Sequence, residues 1–161
     1  MTDQATIRKA TRQDATAIHR MVLELARATG KLSDVSSAAE DIAREGFGGN
    51  PAFEALLAVD GDEAVGLALF FPEFSTWRGE RGIYLQDLYV DDRRRASGLG
   101  RRLVGAVAHR AAAQGASYLR LSVDAANEGA AAFYGRLGFV EAREDRMFML
   151  KGAAFDALLK K

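Results

Sequence analysis

An aromatic and branched run, Ile83-Tyr84-Leu85-Gln86-Asp87-Leu88-Tyr89-Val90, is followed after a short loop by Arg95-Ala96-Ser97-Gly98-Leu99-Gly100 and an apolar stripe of Leu99, Leu103, Ala106 and Val107. The run reads as a central strand and the stripe as a helix over residues 98–114, with Arg101, Arg102 and His109 off it and Gly115 as its stop. A strand feeding a helix through glycines commits the chain to a sheet covered by helices. Glycine has no Cβ, so the backbone can come close to a bulky ligand. The first N–H groups of a helix lack internal partners and, with the helix dipole, attract phosphate oxygens. Arg95 and Arg101 add charge at the same end. The loop therefore reads either as a diphosphate site or as a plain glycine-rich helix entry. A dinucleotide fingerprint wants a small residue where Leu103 stands, and a P-loop wants Gly-Lys-Ser/Thr where Gly100-Arg101-Arg102 stands, so NAD, FAD and ATP are disfavoured.

The rest of the chain supplies more strands and helices in alternation. Residues 6–9 read as a strand, and Thr11-Arg12-Gln13-Asp14 has capping-box spacing before a helix carrying Ile18, Met21, Val22 and Leu25 that ends near Gly30. A polar helix over 36–45 is stopped by Gly46-Phe47-Gly48-Gly49-Asn50-Pro51. Strands over 53–59 and 64–71 flank the hairpin turn Asp60-Gly61-Asp62-Glu63, with Pro72 expected to end the second. Beyond the glycine loop come a strand over 118–123, a helix over 127–137 closed by Gly138, a buried strand over 147–151 and a terminal helix. This is an α/β (α+β) chain read as one domain over 1–161, with a mixed sheet of about six or seven strands flanked by helices.

Composition narrows the chemistry. The 161 residues contain no cysteine and two histidines, which excludes disulfides, a cysteine nucleophile and thiolate or His-rich metal sites. His19 and His109 read as solvated helix residues. Lysine plus arginine balances aspartate plus glutamate at 22 each, so no global field draws the protein to nucleic acid or membrane. Met1-Thr2-Asp3-Gln4 shows neither a basic n-region nor an apolar h-region, and the run from Ala64 to Phe71 is too short to span a bilayer; the expected location is the cytoplasm.

Val90-x-x-x-x-Arg95-x-x-Gly98-x-Gly100 with Leu103 resembles the Arg/Gln-x-x-Gly-x-Gly/Ala signature of the GNAT N-acetyltransferases. Asn127 followed by Phe133-Tyr134-x-x-x-Gly138-Phe139 resembles that superfamily's second stretch. The similarity runs from Ile7-Arg8-Lys9-Ala10 through Gly46-Phe47-Gly48 and Trp77 to Tyr84-Leu85-Gln86-Asp87, and points to the diamine (spermidine/spermine) branch. It implies acetyl-CoA, with pyrophosphate on the backbone of Ala96, Ser97, Gly98, Leu99, Gly100 and Arg101 beside Arg95, and pantetheine along Leu88, Tyr89 and Val90. It also implies that the strands at 84–90 and 118–123 splay into the acyl-CoA cleft, that Asn127 and Arg136 touch the cofactor, and that the protein is a homodimer.

The implied reaction is direct attack of a primary amine on the thioester in a ternary complex, with Tyr134 in the position of the family's general acid. A tyrosine hydroxyl stays protonated at neutral pH and can protonate the departing thiolate. The diamine enzymes carry a carboxylate where this chain has Gln86, which cannot take a proton but can orient a water. Asp87 is the adjacent carboxylate, yet strict alternation points it to the other face unless a bulge turns it, leaving Asp87 or Glu73 near the proton path. Thr29, Ser75 and Gln86 replace the acidic residues that would line a polyamine channel; Glu73, Glu80 and Asp124 are the available substitutes. The acceptor is thus a small amine, polyamine, amino acid or peptide amine, with Trp77 either lining its entrance or covering the core edge. The competing reading is a catalytically weakened module that binds or senses CoA, favoured by Gln86; a nucleotide-binding protein using the same loop is a third.

Overall fold

The computed structural model describes residues 4–160, which form two compact units, one through Ala125 and one from Ala126. The first holds a five-stranded sheet in the order β1 (Thr6–Lys9), β2 (Glu54–Asp60), β3 (Glu63–Ser75), β4 (Glu80–Val90) and β5 (Ala116–Arg120). Neighbours are antiparallel except β4 and β5, which are parallel and joined through α3 (Leu99–Ala113). Parallel strands need such a crossover, and a helix supplies it.

The two faces bury different helices. Ile18 and Met21 of α1 (Ala15–Ala28) pack on Leu57, Leu67, Leu69 and Tyr89, with Ile42 and Phe47 of α2 (Ala39–Phe47) at the margin. On the other face Leu99, Leu103, Val104 and Val107 of α3 are buried, each such side chain contributing about 1.5–3 kcal/mol of apolar burial. Gly66 lets α3 approach: a Cβ there would lie 3.0 Å from Leu103 Cδ1, 3.2 Å from Ala58 Cβ and 3.3 Å from the Tyr89 carbonyl oxygen. Gly66→Ala should therefore destabilise the protein by about 1–3 kcal/mol, read as a drop of several degrees in Tm by circular dichroism.

Element boundaries depart from the pattern-based expectation in instructive places. Pro72 does not end β3, which runs on to Ser75 with Pro72 opposite Ile83. Pairing with β2 starts at Glu54 opposite Phe70, so beyond Phe70 β3 is a sheet edge on that side, where proline is admitted. Thr11 does open the first helical stretch, its amide donating to Asp14 Oδ2 at 2.7 Å, but through a short 3-10 turn (Arg12–Asp14) before α1. Arg8 makes a two-pronged contact with Asp14 and holds that carboxyl down at about 2. His19 is half-buried, with its Nε2 2.7 Å from the Ser37 carbonyl oxygen.

In the second unit α4 (Glu128–Arg136) is capped by Asn127, whose Oδ1 accepts from the Ala130 amide at 3.0 Å. Gly138, at φ +96°, closes it, and the Phe139 amide donates to the Tyr134 carbonyl. The expected strand over 147–151 is absent, so among the described residues the sheet has five strands rather than six or seven; that segment is irregular up to α5 (Ala153–Leu158). No helix among the described residues is long and apolar enough to cross a membrane.

Candidate active site

The glycine loop begins where β4 ends. Asp91 caps a 3-10 turn (Asp92–Arg94), accepting from the Arg93 amide at 2.9 Å. The chain then passes through Ala96 at φ +61° and Gly98 at φ +85°, the N-cap of α3. Ser97 Oγ donates to the Arg94 carbonyl at 2.6 Å and accepts from the Leu99 amide, while Leu99 is buried and pins the helix start. The first amides of α3, at Gly100 and Arg101, have no helical carbonyl to bond. Nothing lies within 4 Å of where a Gly98 Cβ would stand, so the approach to these amides is open.

The arginines divide their work. Arg93 pairs with Glu63 at 2.7 Å and with Asp91 at 2.9 Å, holding the Asp91 carboxyl down at about 2. Arg94 pairs with Asp60. Both therefore tie the loop to the β2–β3 turn. Arg95 pairs with Asp92 at 2.6 Å, and Arg102 donates to the Ala5 carbonyl. Arg101 has no partner among the described residues and is the cation left to face an anion.

The parallel pairing of β4 with β5 ends at Tyr84 opposite Arg120, although β4 continues to Val90. Residues 85–90 thus keep β3 on one side and have no β5 partner on the other. β5 stops at Arg120 instead of reaching Val123, so in place of the expected splay between 84–90 and 118–123 the structure has a stretch of β4 beyond the end of its neighbour.

A bulge sits in this open stretch. Phe70 faces Leu85 and Leu69 faces Asp87, leaving Gln86 as the extra residue of β4. Cross-strand partners share a face, so Asp87 joins Leu69 and Tyr89, while Tyr84 joins Phe71. Leu69 and Phe71 alternate onto one face, and the bulge brings Tyr84 and Asp87 to that face too. Strict alternation had pointed Asp87 the other way. Burial with no cation beside it pushes the Asp87 carboxyl up to about 6. Gln86 is exposed at the bulge.

The other carboxylates are spent. Arg120 Nε and Nη2 hold Glu73 at 2.9 and 2.7 Å, and Arg120 keeps the Glu73 carboxyl below its usual range. Glu73 is thereby removed as a proton acceptor at neutral pH. Arg78 pairs with Glu80 at 3.1 Å and Lys31 with Asp124, so none of the three substitutes for the polyamine-channel acids offers uncompensated charge. Thr29 bonds back to its own helix at the Leu25 and Ala26 carbonyls. Trp77 is 98% exposed at the β3–β4 turn and covers no core edge.

Sequence reading missed Arg120, Tyr84 and Ser122. Arg120 lies over the Tyr84 ring at 5.0 Å, Tyr84 stacks on Phe71 at 5.1 Å, and its hydroxyl donates to Ser122 at 2.9 Å. Only the register of three strands brings these residues together. In the second unit Tyr134 is held edge-on between Phe133 (5.1 Å) and Phe139 (5.4 Å), and Arg136 ends α4.

Residues 15–139 match the model of the acetyltransferase (GNAT) family. The chain is 37% identical to the thialysine N-epsilon-acetyltransferase of Sus scrofa, over 96% of this chain and 97% of that protein. It is 32% identical to the L-ornithine N5-acetyltransferase of Arabidopsis thaliana over 59% of this chain and 42% of that one. An integron cassette protein from the mobile metagenome of V. cholerae shares the fold with a TM-score of 0.83 at 21% identity, covering 99% of both chains. Joined to a glycine loop at the start of α3 and an opened β4 edge, these matches show that the chain belongs to the GNAT acetyltransferase family and is an N-acetyltransferase.

Proposed function

We propose that the protein transfers acetyl from acetyl-CoA to the primary amine of a small molecule, with Asp87 as the proton acceptor. The observation that carries this is the bulge at Gln86, which sets a partly buried, unpaired carboxylate on the open stretch of β4. The residues fit the cofactor: the unpaired amides of Gly100 and Arg101, the open approach at Gly98 and the free Arg101 suit a pyrophosphate. The backbone edge of Leu88, Tyr89 and Val90 on the side away from β3, which has no β5 partner, suits the amide-bearing pantetheine arm. When bound, acetyl-CoA supplies an activated acetyl thioester.

The protein's own groups handle protons. An alkyl ammonium with pKa near 10.4 is about one part in a thousand neutral near pH 7.4, a cost of about 4 kcal/mol. Asp87, ionised above pH about 6, receives that proton, either directly or through a water oriented by Gln86. Tyr134 gives its hydroxyl proton to the leaving thiolate, an assignment that rests on its place in the family pattern. On the family resemblance alone, Asn127 and Arg136 contribute to cofactor binding, Trp77 to the acceptor entrance, and the working form is a cytoplasmic homodimer.

The relatives whose names specify thialysine and ornithine act on amines of small molecules, which supports the same class here. The test is CoA thiol release from acetyl-CoA against a panel of diamines, amino acids and peptides. Amine-dependent release is expected. Tight acetyl-CoA binding with no release across the panel would instead support a binding or sensing role.

A further inference from the structure

We propose that Arg120 anchors a carboxylate of the acceptor, so that the preferred substrate is an amino acid acetylated on a side-chain amine several bonds from that carboxylate. The inference rests on Asp87 being the proton acceptor. The cofactor end of β4 runs through Val90 to the glycine loop, so the acceptor approaches from the other side of the bulge, where Tyr84 and Arg120 stand on the same sheet face as Asp87.

Arg120 is built to face outward. Its guanidinium is fixed from two sides, by Glu73 through Nε and Nη2 and by the Tyr84 ring beneath it, and Tyr84 is itself fixed by Phe71 and Ser122. Nη1 has no partner among the described residues. The Glu73 side chain is 19% exposed and that of Arg120 is 62% exposed, so solvent meets the cation rather than the anion of the pair. A planar guanidinium pre-set in this way suits a carboxylate, since little side-chain entropy remains to be lost. It also opposes a polycation, in agreement with the neutralised Glu80 and Asp124.

The strand sets the spacing. Tyr84, opposite Arg120, and Asp87 are three positions apart with one residue taken up by the bulge, about 7–10 Å along β4. An α-amine lies two bonds from its carboxylate carbon, about 2.5 Å, and cannot reach both groups. A δ- or ε-amine, five or six bonds away, spans about 6–8 Å.

The experiment compares kcat/KM for L-lysine against 1,5-diaminopentane and L-ornithine against 1,4-diaminobutane, pairs that differ only in the carboxylate. The wild type should favour each amino acid by about tenfold or more, the size expected of a charge-assisted contact. Arg120→Gln should lower the amino-acid values and, by removing a cation and uncovering the Glu73 carboxylate, leave the diamine values unchanged or raised, so that the preference is lost while the KM for acetyl-CoA stays within about twofold; Arg120→Lys should restore part of the preference. A wild type that prefers the diamines overturns the proposal without any variant, and so does an Arg120→Gln that slows both acceptors alike. Transfer without discrimination overturns this inference alone; absence of transfer to every amine overturns the acetyl-transfer reading together with it.

Discussion

Asp87→Asn should lower kcat/KM by about 10²–10⁴-fold and remove a break near pH 6 from its pH profile. In the wild type, kcat/KM rises with unit slope through about 6 as the carboxyl ionises and becomes able to take the ammonium proton, then levels. In the variant the amine must arrive neutral, so the rate keeps climbing toward the amine's own pKa. The sign of the stability effect is opposite. Because the folded-state pKa lies above the ordinary 3.8, the folded protein holds a proton between about pH 4 and 6 that the unfolded chain has released. Ionised Asp87 therefore costs stability that appears as pH rises through that window, at most about 3 kcal/mol. Asparagine escapes this cost, so the variant should gain Tm relative to wild type at pH 7.5 and lose that advantage near pH 4. A less active but more stable variant with this pH signature identifies a functional carboxylate; a variant whose rate profile still breaks near 6 would move the base elsewhere.

Tyr134→Phe is the second large effect, a fall of about 10²-fold in kcat with the KM for acetyl-CoA changed less than threefold. The substitution removes one oxygen while keeping the ring that packs edge-on between Phe133 and Phe139. Thiol release measured at saturating acetyl-CoA reports it directly. An unchanged kcat would mean that the thiolate leaves unprotonated or takes its proton from water.

Much of this was readable in the chain, for identifiable reasons. The glycine loop, the α3 stripe and the Asp60–Glu63 turn are local features, where nearby residues decide the conformation. The Asn127 cap and the Gly138 stop are local in the same way. Pro72 misled because its tolerance depends on where the neighbouring strand begins, which is a property of the sheet. The role of Asp87 turned on a single extra residue: sequence alternation assigns it one face, and the bulge assigns it the other. Glu73 and Arg120, separated by 47 positions, look like unrelated surface charges until β3, β4 and β5 are laid in register. Whether the substitutes for the polyamine-channel acids carry free charge was hidden for the same reason, since for Glu80 and Asp124 it depends on Arg78 and Lys31 being within reach.

The arginine ties between the glycine loop and the β2–β3 turn bear on how this protein can diverge. Hairpin turns at a surface ordinarily tolerate changes of length and residue, because little depends on them. Here Asp60 and Glu63 grip Arg94 and Arg93, in the segment that leads into the loop. Inserting a residue into that turn would alter the entry to the glycine loop without changing any residue of the loop itself. Lineages descended from this chain are thus restricted in a hairpin that would otherwise drift, and changes there should arise together with changes at Arg93 and Arg94.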